Sequence, residues 1–144
     1  MDRTKHPLLP DPGTELEFQM QCRVVDVIES RGLLFTATCG GMNASIGQKM
    51  KMKRSGYRRG VPDLLIFEPR GSYHGLMIEL KVRGGHLSEH QQNWARRLLS
   101  KHYKCVTCWS FEDAVRVLDD YLALAYVTRE VPYATESQTN TSDQ

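Results

Sequence analysis

The chain has 144 residues, of which 40% are hydrophobic and 25% are charged, and its net charge at neutral pH is +2. This size and composition are typical of one globular domain, and they exclude a collagen-like chain, a disulfide-rich miniprotein and a largely disordered protein. No apolar run approaches the roughly 18–20 residues of a membrane-spanning helix, and no signal-peptide core follows the N-terminus. We therefore expect an intracellular protein of a bacterial or host cytoplasm, or of a nucleus, with no membrane partner.

The first predicted element is an amphipathic helix that follows a proline-rich leader over residues 1–13. Thr14 and Glu17 have the spacing of a capping box, which indicates that the helix begins near Thr14. Apolar residues then recur at helical intervals up to about Ser30. Residues 33–38 form a β-prone apolar run, which predicts the first strand.

The remaining elements follow from apolar runs that are separated by glycine and proline turns. They are a short basic helix over 45–55, strands over 61–67 and 76–82 that pair as a β-hairpin, a helix from the capping box of Ser88 and Gln91 to about residue 102, a strand over 103–109 and a helix from Ser110. This order predicts an α/β fold with a mixed central sheet flanked by helices. The domain is expected to span residues 14–127, and a polar, flexible tail is expected over 128–144.

Both tryptophans of the chain lie at positions that the periodicity assigns to the core. Trp94 is on the helix that is predicted after Ser88, and Trp109 ends the next predicted strand. We therefore expect both indoles to pack inside the protein rather than to stack on nucleic-acid bases.

The near-neutral net charge hides a strongly basic region in the middle of the chain. Residues 30–62 contain seven Lys or Arg residues and no Asp or Glu, whereas residues 112–144 contain seven acids and two bases. Six of the seven bases fall within residues 49–59 and form what we call the basic block: Lys49, Lys51, Lys53, Arg54, Arg58 and Arg59. Such a block is typical of a surface that binds the phosphates of a nucleic acid, and a solvated helix face is the structural alternative.

Three ionisable residues stand on the otherwise apolar strands of the predicted hairpin. Asp63 lies in the first strand, and Glu79 and Lys81 lie two residues apart on the second, so that they share one face. If the hairpin closes on the intervening turn, Asp63 lies beside Glu79. Buried carboxylates need a partner or a metal, and their oxygens suit Mg²⁺. With a lysine and a basic surface nearby, this pattern indicates phosphodiester hydrolysis; a solvated cross-strand ion pair is the alternative.

These residues belong to a longer pattern that resembles a known family. The pattern consists of Gly56-Tyr-Arg-Arg-Gly60-Val-Pro-Asp63, then Glu79-Leu-Lys81, and then Leu87-Ser-Glu-His-Gln91. It resembles the VRR-NUC branch of the PD-(D/E)XK nuclease superfamily, whose fold is a restriction-endonuclease-like α/β core. The likeness extends over about residues 14–120.

The resemblance implies a role for each matching residue of the hairpin and of the helix that follows it. Asp63, Glu79 and the backbone carbonyl of Leu80 would bind Mg²⁺ or Mn²⁺. Lys81 would position or activate the attacking water and stabilise the charge that builds on the phosphate. Gln91 would help to shape the site, and the basic block would bind DNA phosphates.

The resemblance also implies an acidic residue in the first helix. The family has a glutamate there that is followed four residues later by a glutamine. Glu17 with Gln21 has this spacing and is our preferred match, and Glu15 with Gln19 fits it equally well. The capping-box interpretation also uses Glu17, and one carboxylate cannot serve both the helix start and a metal equally well.

Stand-alone members of this family in phages and large DNA viruses are homodimers that act on branched DNA. By resemblance we expect a Mg²⁺- or Mn²⁺-dependent, structure-selective DNA endonuclease that acts as a homodimer on substrates such as Holliday junctions, which would place it in DNA repair. Two alternatives stay open: a general or restriction-like DNA nuclease without junction preference, and a non-catalytic DNA-binding protein with the same fold. RNA remains an alternative substrate.

Overall fold

The computed structural model describes residues 12–38 and 44–126, and it describes side chains from Leu16 onward. Its elements are α1 (Pro12–Ser30), β1 (Phe35–Ala37), α2 (Ile46–Arg54), β2 (Leu64–Ile66), β3 (Leu76–Leu80), α3 (Glu89–Leu99), β4 (Lys104–Cys108) and α4 (Phe111–Leu122). Their order is the predicted one, and their ends agree with the prediction to within about three residues. Most of the predicted leader and the tail over 128–144 lie outside the described residues. Among the helices that are described, none combines the length and the apolar character that a membrane span requires.

The four strands form one mixed sheet in the order β1-β2-β3-β4. β2 pairs antiparallel with both β1 and β3, so that β2 and β3 form the predicted hairpin, and β4 pairs parallel with β3. α3 lies in the crossover that parallel pairing requires between β3 and β4. The predicted mixed sheet with flanking helices is therefore confirmed.

α1 and α4 cover one face of the sheet. The core on this face consists chiefly of Val24 and Ile28 of α1, Leu64, Ile66, Leu76, Ile78, Leu80 and Cys108 of the strands, and Ala114, Leu118 and Tyr121 of α4. Alternate strand residues point to the opposite face, where α3 packs against β4. Glu79 stands between Ile78 and Leu80, so the alternation of the strand carries its side chain to the α3 side.

The start of α1 differs from the prediction. The helix begins at Pro12, and a proline at the first helical position is favourable because its missing N–H would have no partner there. Thr14 is therefore inside the helix, and the predicted capping box of Thr14 and Glu17 is wrong. The predicted capping box of α3 is confirmed, because the side chains and backbone N–H groups of Ser88 and Gln91 bond reciprocally.

Gly60 presses the loop before β2 against the start of α3. Its φ of +94° is in the region that favours glycine. A Cβ atom at this position would lie 2.6 Å from the backbone carbonyl carbon of His90, so a side chain would push the loop and the helix apart. This contact holds the end of the basic block, Arg58 and Arg59, close to Asp63.

The two tryptophans have different environments. Trp94 is only half-buried and is not part of the hydrophobic core, so its predicted core position is not confirmed. The guanidinium carbon of Arg97 lies 5.7 Å from the centre of its ring. Trp109 is 48% exposed, so the prediction that it packs in the core is wrong. The reason is that β4 ends at Cys108, and Trp109 lies one residue beyond the strand at the edge of the sheet.

Candidate active site

The register of the hairpin brings Asp63 and Glu79 together. Leu64 pairs with Ile78, and continuation of this antiparallel register places Asp63 opposite Glu79. The Oδ2 atom of Asp63 accepts a hydrogen bond of 2.8 Å from the backbone N–H of Leu80. This bond holds the Asp63 carboxylate across the end of the hairpin, next to Glu79, as the sequence predicted.

Glu79 is the centre of a small polar cluster. Only 6% of its surface is exposed, and it is the one buried charged residue in the described part of the chain. Its Oε1 atom lies 2.9 Å from Nζ of Lys81 and accepts a hydrogen bond from Nε2 of Gln91. The structure therefore joins Asp63, Glu79, Lys81 and Gln91 in one site.

Gln91 connects α3 to this cluster with both ends of its amide group. Its Oε1 atom accepts a hydrogen bond of 2.8 Å from the backbone N–H of Ser88, which completes the capping box. Its Nε2 atom donates to Glu79. Since the carbonyl end is engaged by the helix cap, the amide can present only its N–H groups to the carboxylate.

Burial makes the carboxylates of the site hard to ionise. It raises the pKa of Glu79 to about 7, with a further increase from the charge of Asp63 and a smaller, opposing effect of Lys81. Burial also raises the pKa of Asp63, although the hydrogen bond from Leu80 opposes this change. Burial alone would lower the pKa of Lys81, but the bond to Glu79 and the nearby carboxylates raise it overall. The single ammonium thus leaves an excess of negative charge, which a cation can balance.

Glu17 reaches the same site from α1. Its Oε1 atom accepts a hydrogen bond of 3.4 Å from the backbone N–H of Val82, and Gln21, one turn further along the helix, lines the same cleft. Glu17 therefore faces the site and not the start of its helix, which removes the conflict between the two interpretations. The side chain of Glu15 lies outside the described residues.

The cluster lies in an open cleft of about 1000 Å³. Three members of the basic block line this cleft: Lys49, Arg58 and Arg59. The other three members are exposed on α2, outside the lining. The structure thus brings half of the predicted phosphate-binding residues to the carboxylates and places the other half on an adjoining surface.

The sequence predicts no role for three of the larger apolar or aromatic residues that line the cleft: Phe18, Met52 and Tyr57. Phe18 is 61% exposed. Its position in the sequence indicates this exposure, because it lies off the apolar stripe of α1 that contains Met20 and Val24. Tyr57 directly precedes two arginines, and an aromatic residue among basic residues is typical of surfaces that bind single-stranded nucleic acids.

The oxygen donors of the site suit a small divalent cation. Mg²⁺ is commonly held by one or two carboxylates and keeps several of its waters, which Asp63 and Glu79 could provide. Over residues 12–38 and 44–126, no three His, Cys, Asp or Glu side chains form a ready-made cluster. The hydrogen bonds described above use one oxygen of each carboxylate, and a cation would bind to the other.

The sequence matches a family model, and the fold is similar to those of solved structures. A family model described as "VRR-NUC domain" matches residues 11–112. A solved structure titled "VRR_NUC domain protein" has a TM-score of 0.61 and 26% identity, and the match covers 76% of this chain and 90% of that chain. A second, titled "VRR_NUC domain", has a TM-score of 0.52 at 22% identity over 73% of this chain and 96% of its own, and it shows the fold alone. No curated protein matches the sequence significantly. The mixed sheet with its flanking helices is thus the predicted restriction-endonuclease-like α/β fold.

Proposed function

Since the chain belongs to the VRR-NUC family of nucleases, we propose that it is a Mg²⁺- or Mn²⁺-dependent endonuclease that cuts branched DNA, such as four-way junctions, as a homodimer. The observation that carries the proposal is the convergence of Asp63, Glu79 and Lys81 in a cleft lined by arginines. A hairpin with a purely structural role would be at least as stable with an apolar residue in place of Glu79, because burial of a carboxylate is unfavourable. The burial of this charge therefore supports a chemical role.

In this proposal, Asp63, Glu79 and the backbone carbonyl of Leu80 hold the divalent cation. Such a cation, when bound, acts as a Lewis acid toward a phosphate and lowers the pKa of a bound water. Burial raises the pKa of both carboxylates, and a bound cation would stabilise their charged forms, which supports this assignment. Gln91 keeps Glu79 in place through its amide.

Lys81 acts as a hydrogen-bond donor and as a positive charge. The neighbouring carboxylates outweigh the effect of burial and raise the pKa of Lys81, so that its side chain stays protonated at neutral pH. A protonated lysine cannot take a proton from the attacking water. It can hold that water and stabilise the negative charge that develops on the phosphate oxygens.

DNA would enter the cleft beside the basic block. A phosphate bound by Lys49, Arg58 or Arg59 lies in the same cleft as the carboxylates. The other members of the block continue the positive surface along α2, which has no buried side chains. This second surface supports the choice of branched DNA, because it offers a contact for an additional arm of the substrate. We expect each Lys or Arg to Ala change in the block to reduce the slope of log K against log salt by about one.

The number of cuts that a junction requires supports the homodimer. The described chain has one acidic pair, whereas resolution of a symmetric four-way junction requires a cut in each of two strands. A two-fold pair of chains presents two sites and doubles the basic surface. Sedimentation velocity at micromolar concentration, with and without junction DNA, tests this step. Monomers under both conditions would contradict the dimer and leave the nuclease proposal intact.

A cleavage assay with matched variants tests the activity. Labelled four-way junction, flap, single-stranded and linear duplex DNA, together with an RNA, are incubated with Mg²⁺, Mn²⁺ or EDTA. Asp63→Asn and Lys81→Met are expected to lower the cutting rate by about 100-fold or more. Asp120→Asn and Lys101→Met change exposed residues that do not line the cleft, and they should cut like the wild type.

Each outcome of this assay has a separate meaning. Cutting that persists in EDTA or in the Asp63→Asn variant would contradict metal-dependent hydrolysis at this site. Binding of junction DNA without cutting under either metal would favour the non-catalytic alternative. Equal rates on junction and linear duplex DNA would indicate a general nuclease, and faster cutting of RNA would change the substrate class.

A further inference from the structure

Trp109 stands at the outer edge of the sheet, next to the strand end that carries Lys81. Leu80 pairs with Cys108, and the backbone N–H of Lys81 donates to the carbonyl of Cys108 at 2.9 Å. Continuation of this parallel register places Trp109 beside Lys81. The indole is nevertheless 48% exposed, and it does not line the cleft itself. Trp109 therefore lies at the edge of the cleft, outside its lining.

A hydrogen bond fixes the indole to the loop that follows Lys81. Nε1 of Trp109 donates to the carbonyl of Gly85 at 3.3 Å, and the N–H of Gly85 donates to the carbonyl of Val82 at 2.9 Å. A Cβ atom at Gly85 would lie 3.4 Å from Cδ of Lys81. Gly85 therefore lies next to the Lys81 side chain and also accepts the hydrogen bond from Trp109. The ring is anchored by its polar edge while about half of the side chain stays open to solvent.

Some aromatic side chains at or near the surface are covered by a cation, unlike that of Trp109. Arg97 lies over the ring of Trp94, and Arg23 lies over the ring of Phe111 with its guanidinium carbon 3.9 Å from the ring centre. The cation–π contacts of the described residues do not include Trp109. Its indole thus combines a rigid anchor with an aromatic surface that no described cation covers.

We propose that Trp109 is a stacking platform for an unpaired nucleobase of the nucleic acid that the cleft binds. The inference rests on the proposed function and specifies how a branched substrate is recognised. Bases in an intact duplex are stacked on each other, so only an unpaired or displaced base can offer its face to an indole. A strand held by the basic block on one side of the carboxylates and passing Lys81 on the other leaves the cleft next to Trp109.

The binding step can be tested without cutting. In a Trp94→Phe background Trp109 is the only tryptophan, and its fluorescence is titrated with a 12-nucleotide oligothymidylate in EDTA. A blunt duplex of the same length and an oligouridylate are titrated in parallel, and anisotropy of end-labelled strands reports binding independently. We expect quenching by the single strand that is at least twofold greater than by the duplex at equal occupancy. Saturable binding without preferential quenching would overturn the inference, and absence of binding to every DNA would contradict the proposed function instead.

Variants separate stacking from a structural role of the indole. Trp109→Ala should weaken binding of the single strand by about 5- to 100-fold, whereas Trp109→Phe, which keeps an aromatic face and loses the bond to Gly85, should retain most of the affinity. Both variants should bind blunt duplex like the wild type. If the indole only positions the loop beside Lys81, both variants lose cutting of every substrate to the same extent and neither loses single-strand affinity, which would refute the proposal. Unfolding curves of Trp109→Ala and Trp109→Phe show whether each variant is folded under the assay conditions.

Discussion

Glu79→Gln is expected to remove a pH-dependent loss of stability from the metal-free protein. Burial and the charge of Asp63 raise the pKa of Glu79 from 4.5 to about 7 in the folded state. The folded state therefore keeps a proton that the unfolded state loses once the pH rises above about 4.5. The stabilisation that this proton provides is complete below about pH 4.5 and is lost as the pH rises to about 7, because the unfolded state binds fewer protons over that interval.

The size of the effect follows from the two pKa values. The difference between 4.5 and about 7 corresponds to about 3 kcal/mol, and little of it is screened by solvent, because only 7% of the side chain is exposed. As the pH rises from 5 to 8, the titration of Glu79 should thus lower the unfolding free energy of the wild type by about 2–3 kcal/mol. Glutamine has a similar shape and does not titrate, so its altered hydrogen bonds affect every pH alike.

Urea unfolding in EDTA at pH 5, 6, 7 and 8 measures this effect as the difference in unfolding free energy between variant and wild type. The Glu79→Gln protein should gain about 2–3 kcal/mol relative to the wild type from pH 5 to pH 8. Glu29→Gln, an exposed change in α1, is the control and should show a constant difference. A Glu79→Gln difference that is constant with pH, or that grows toward pH 5, would refute the assignment of a raised pKa to this side chain.

Three further predictions concern the cation, the amide and the loop before β2. Addition of Mg²⁺ at pH 8 should raise the melting temperature of the wild type by several degrees and that of Asp63→Asn by much less; equal shifts in calorimetry would contradict Asp63 as a ligand. Gln91→Glu should keep α3 in circular dichroism, because glutamate also completes a capping box, but should cut at least about tenfold more slowly, because it adds a carboxylate to the acidic site. In urea unfolding, Gly60→Ala should destabilise by about 2–3 kcal/mol, because it combines a positive φ with a steric clash. Gly47→Ala, where nothing lies within 4 Å, is the control and should stabilise by up to about 1 kcal/mol. If Gly47→Ala were the more destabilising of the two changes, the close packing of Gly60 would be contradicted.

The hairpin and its acidic pair were predictable because they depend on short-range rules. The period of two along a strand puts Glu79 and Lys81 on one face, and a turn between two apolar runs sets an antiparallel register. Together these rules place Asp63 beside Glu79 if the hairpin closes on the intervening turn. The order of helices and strands follows in the same way from periodicity and turn residues, and the family pattern adds the identity of the fold.

The features that the sequence did not predict depend on contacts between distant elements. The capping box of Ser88 and Gln91 is a local signal, but the bond from Gln91 to Glu79 arises only when α3 packs on the sheet. Pro12 and Thr14 are two competing signals for one helix start, and local rules do not rank them. An apolar strand pattern does not reveal where the sheet ends, which is why the pattern incorrectly predicts a core position for Trp109.

The proline that precedes Asp63 supports the proposed use of the Leu80 carbonyl as a ligand. The N–H of Lys81 bonds to β4, and the N–H of Leu80 points the other way, to Asp63. In a strand the N–H and the C=O of one residue point to the same side, so the Leu80 carbonyl also points toward the segment before β2. Continuation of the register places Pro62 opposite Leu80, and proline has no N–H to donate to that carbonyl. The ladder bond that would otherwise engage this oxygen is therefore absent at the position where the two carboxylates meet.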